Sequence, residues 1–63
     1  MGAAPVKDYQ ASIETLRRDA AEAALIRDLA TDKTKREMFD RLAQHLGQLA
    51  DEVERAMNAS KAS

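Results

Sequence analysis

From Val6 to Ser63 the sequence contains no proline and a single glycine, Gly47. Nothing else constrains the fold as strongly. A chain without these residues lacks the usual punctuation of short elements and tight turns, so it reads as long helices. The abundance of alanine, leucine and charged side chains agrees, and Tyr9 and Phe39 are the only aromatic residues. Strands would call for more aromatic and β-branched side chains. At 63 residues the chain is expected to be one domain spanning 1–63, and a single core of that size is marginal alone.

Apolar periodicity places the helices. In the second half, Phe39, Leu42, Leu46, Leu49, Val53 and Ala56 recur at alternating spacings of three and four, with Ala43, Ala50 and Met57 one position on. This is the stripe of a helix packed in a bundle. Glu37, Arg41, Asp51 and Arg55 lie opposite, as two pairs four residues apart in the favourable order. The pattern predicts a helix over about 33–58, with the small, polar "NASKAS" fraying after Met57. In the first half, Tyr9, Ile13, Leu16, Ala20 and Ala23 form a similar stripe. Pro5 suits a first helical turn, Asp8 favours that positive end, and Glu14–Arg18 adds a further pair. The expected helix covers about 5–30. Leu25 and Leu29 point away from its stripe, so its last turns are apolar on two sides.

Between the stripes, "TDKTKRE" (Thr31 to Glu37) has no apolar side chain. A continuous rod would carry an interrupted seam, and its second half would emerge rotated by roughly a quarter turn. Asp32 can cap a helix beginning at Lys33, and Thr34 with Glu37 offers a capping box instead. No glycine is present to close the first helix in the left-handed conformation. The expectation is a turn at about 30–33 and an antiparallel two-helix hairpin, an all-α fold. The register would bring Ile13 near Val53, Leu16 near Leu49, Ala20 and Ala23 near Leu46 and Leu42, and Tyr9 near Ala56 or Met57. Gly47 is either a tolerated surface glycine or a point of close backbone crossing.

One hairpin leaves Leu25, Ile26, Leu29 and Met38 partly uncovered beside Phe39. A second copy would cover them, and a twofold homodimer forming a four-helix bundle is the simplest closed arrangement. A partner helix in the same groove is the competing occupant. The expected function is therefore protein–protein interaction, structural or regulatory, through the seam residues and the apolar residues near the tip.

Other classes find little support in the residues. The net charge is -1 with 33% charged residues, which is not a nucleic-acid footprint. The alternative reading, a nucleic-acid-associated accessory protein, would use Arg27, Lys33, Lys35 and Arg36 at the tip, where Asp28, Asp32 and Glu37 interrupt the cluster. His45 is the only histidine, Leu42 stands where a Glu-x-x-His metal motif needs Glu, and there is no Cys. No metal or cofactor is expected. Without a Ser/His pair at useful spacing or a Gly-rich phosphate loop, neither an enzyme nor a small-molecule substrate is expected. The second helix has an acidic polar face without Trp or a Lys-rich border, unlike a membrane-surface helix. No stretch approaches a membrane span, and "MGAAPVKD" lacks a signal-peptide core. Val6 stands where a myristoylation signal needs Ser or Thr, and the "NAS" sequon is expected to be chance. Absence of Cys fits a reducing cytoplasm.

The segment from Leu29 to Glu54 combines Leu-Ala, a turn Asp, Lys35-Arg36, Phe39, Leu42-Ala43, His45 and Leu49-Ala50. In this it resembles short, uncharacterised bacterial helical-hairpin proteins, many of which carry Pro where this chain has Lys33. The resemblance implies a helical hairpin and no activity.

Overall fold

A computed structural model describes residues 6–62, with side chains from 8 to 61. Helices α1 (Val6–Leu29) and α2 (Lys33–Ala62) pack against each other as a hairpin measuring 47 × 16 × 14 Å. Pro5, expected in the first turn of α1, lies outside the described residues. The chain reverses over Ala30, Thr31 and Asp32, within the apolar-free segment.

Asp32 starts α2. Its Oδ2 accepts the Lys35 backbone N–H at 2.9 Å, and its carbonyl accepts that of Arg36 at 3.0 Å. One orphan donor of the first turn is thereby satisfied, in preference to the capping box from Thr34. Helix α1 ends without the left-handed residue that usually closes a helix, and none of the described residues has positive φ. Instead the Ala30 N–H bonds back to the Arg27 carbonyl at 3.3 Å, a tightened last turn. The Ala30 carbonyl then accepts Arg36 Nη2 at 3.2 Å. A side chain of α2 thus does the capping for α1.

Helix α2 continues past Met57 to Ala62, where fraying was expected. Ala59, Lys61 and Ala62 are good helix formers, no Gly or Pro interrupts them, and Lys61 lies favourably at the negative end.

The helices meet along a line of small residues. Ala50 is fully buried, Ala23 is 3% exposed, and Ile13 and Met57 are the buried large side chains. The leucine-centred stripe of α2 is therefore turned from the expected facing. Its alanine flank (Ala43, Ala50) and Met57 take the centre, Leu42 is 42% exposed, and Ala56 is exposed. Small side chains let the helix axes approach closely, and close approach brings more of each surface into contact.

The register also differs. Leu16 shares a groove with Val53, and Ile13 shares one with Met57, about one turn further along α2 than the spacing suggested. Arg17 meets Asp51, which was expected to pair with Arg55, and Glu37, which lines a shallow depression with Arg41, comes within 4.0 Å of Lys33. Gly47 is not a close crossing: a Cβ added there meets nothing within 4 Å.

Candidate functional site

The two long edges of the hairpin differ in chemistry. At 100° of rotation per residue, Arg17, Asp40, Gly47, Asp51 and Glu54 fall to one side of the buried alanine line. Arg17 Nη2 reaches Asp51 at 3.3 Å and Glu54 at 3.4 Å, and Arg27 Nη1 reaches Asp40 at 2.9 Å. Gln44 Nε2 donates to the second Asp40 oxygen at 2.9 Å. The Arg17 pairs are solvent-exposed and individually worth little, the Arg27–Asp40 pair is half-buried, and together they fix register and satisfy the polar groups of this edge. Hydrogen bonds from the Arg27 guanidinium to Asp28 and then Asp40 raise its pKa from the ordinary arginine value.

The opposite edge is apolar. Leu16 and Ile26 from α1, with Leu42, Leu46, Leu49 and Val53 from α2, project to the same side of the contact line. Leu16, Leu46, Leu49 and Val53 are half-buried, and Ile26 and Leu42 are exposed. Leu16 and Val53, with Ala11, Ser12 and Thr15, line a shallow groove on this edge. Every cross-helix ion pair among the described residues lies on the other edge. The apolar side chains of this edge are rimmed by polar residues.

The residues expected to form the packing interface separate into three groups. Ile13 and Met57 are consumed by the intrachain core, and Tyr9 and Phe39 are half-buried close to it. Leu16, Leu42, Leu46, Leu49 and Val53 belong to the apolar face, and Met38, 52% exposed, extends it toward the tip. Leu25 and Leu29 stand apart on the back of α1, with Leu29 at 72% exposure the most exposed large apolar side chain among the described residues. The structure does not bring these two onto the face formed by the leucines of α2.

Of the basic tip residues, Arg27 is bound to Asp28 and Asp40, and Arg36 to the Ala30 carbonyl. Lys33 lies 4.0 Å from Glu37, and Lys35 is exposed. The strongest donors of a nucleic-acid footprint are thus engaged within the hairpin. Among the described residues no three His, Asp or Glu side chains converge on a metal position, and no helix is long and apolar enough to cross a membrane. Comparison with protein-family models, curated proteins and solved structures gave no match.

The ion-paired edge escaped sequence reasoning. From the sequence, Asp51 reads as lying opposite the apolar stripe, and only the facing set by Ala50 turns it, with Glu54, toward Arg17. The available signal was the run Ala43, Gly47, Ala50, a line of small residues at spacings of four and three.

Proposed function

We propose that this chain is a small helical interaction module, structural or regulatory in role, that works by self-association. Two hairpins close their apolar faces on each other as a twofold four-helix bundle. One observation carries the reading: polar groups satisfy one another along one edge, while leucine and isoleucine side chains meet solvent along the other. Area supports it. The hairpin exposes 4753 Å². A compact monomer of 6.9 kDa exposes about 4,000 Å², some 750 Å² less. A standard interface removes about 800 Å² from each partner. Pairing two slender bodies face to face thus brings the surface back to that of a compact domain. With no cysteine to protect, the module suits the reducing cytoplasm, where we expect it to act.

Sedimentation equilibrium over roughly a hundredfold range of concentration tests the proposal, with the wild type run beside a Leu42→Gln, Leu49→Gln double variant. The wild type should show a dimer mass, and the variant should become monomeric while remaining helical. A wild type that is monomeric at every concentration, with a sharp thermal transition, refutes self-association and makes a partner helix the occupant of the face.

A further inference from the structure

Resting on self-association through the apolar face, we infer that the two copies lie with their tips at the same end, α1 of each over α2 of the other. A twofold contact between two such faces has two solutions. An axis along the hairpin sets the tips together and crosses α1 with α2. An axis across it opposes the tips and stacks α1 on α1 and α2 on α2.

Bulk distinguishes the two. To this face α2 contributes Leu42, Leu46, Leu49 and Val53, whereas α1 contributes Leu16 and Ile26 separated by Ala23 and Asp19. Stacking like on like would set large side chains against large along one half of the interface and leave a gap along the other. Crossing α1 with α2 spreads the bulk over both halves: Leu46 and Leu49 fall at the levels of Ala23 and Asp19, as interdigitated packing requires, and only Leu42 and Val53 meet large residues, Ile26 and Leu16.

Charge distinguishes them in the same direction. Asp19 lies within the α1 part of the face and Glu22 on its rim, and the α2 rim carries Arg41 and His45, all exposed. Because Arg27 holds Asp40 and Leu16 shares a groove with Val53, Glu22 stands level with His45. Asp19 and Arg41 lie about one turn to either side. With the tips together, Glu22 of each copy lies level with the His45 imidazole of the other and about one turn from its Arg41, the one fixed positive charge of that stretch. Glu52, the acid on the α2 rim, lies level with Leu16, beyond Asp19 and away from Glu22. With the tips opposed, Asp19 and Glu22 of both copies would gather near the middle of α1, an unfavourable meeting of like charges.

The chain has no cysteine, so Thr31→Cys in the exposed turn gives one spin label per copy. Dipolar spectroscopy on the full-length protein then reads the tip-to-tip distance, beside its sedimentation mass. A dimer with labels about 20–25 Å apart, two helix diameters, supports the arrangement. A dimer with labels separated by close to the 47 Å length of the body overturns it and leaves self-association standing. A monomer mass overturns both.

Discussion

Replacing Gly47 with alanine should stabilise the protein by about 1 kcal/mol, the propensity difference between the two residues inside a helix. The gain comes mostly from the unfolded chain, where glycine has more backbone freedom to lose. Steric cost could cancel it, but the added methyl meets nothing within 4 Å, and the φ at this position is not positive. Gly47 also lies on the ion-paired edge, away from the face proposed to meet a second copy, so dimerisation should leave the gain intact. In a domain of this size about 1 kcal/mol raises Tm by 4–8 °C. Thermal melts followed by circular dichroism at equal protein concentrations read the difference directly. An unchanged or lowered Tm would refute the reasoning, because some group from outside the hairpin would have to fill the space beside Gly47.

Other substitutions probe other parts of the fold. Ala50→Leu adds three carbons where no exposed surface remains and should destabilise by about 1–3 kcal/mol through overpacking. Urea titration checks this, and higher stability would mean the helices are less closely apposed than described. Asp32→Ala removes the acceptor for the Lys35 N–H and should cost about 1 kcal/mol, read as a lower urea midpoint with an unchanged slope. No change there would shift the capping role to Thr34.

The helices and their reversal were legible because both rest on local chemistry. Spacings of three and four define the stripes, and Asp32 supplies the cap wherever the rest of the chain goes. The facing of α2 was harder to read. Its apolar arc is wide enough to contact α1 through Leu42, Leu46 and Leu49 or through Ala43 and Ala50. Side-chain size argues for the former if burial of each residue is counted separately. The structure takes the latter, because alanine lines allow a close approach that a leucine line prevents. The candidate face follows from that choice, so periodicity named its leucines and missed their exposure. The C-terminal turns were misjudged for a related reason: composition suggested fraying, while the propensities of Ala59, Lys61 and Ala62 favour a helix that runs to Ala62.

The turn has a consequence for the direction of the chain. No residue there has a positive φ, so the reversal needs no glycine. It is held by the Asp32 carboxylate, which opens α2, and by the Arg36 guanidinium, which seals α1. The end of α1 therefore rests on a side chain from the far side of the bend, within a turn of the cap that opens α2. Neither terminus can be moved without disturbing the other, and the path of the polypeptide depends on two charged groups rather than on a glycine.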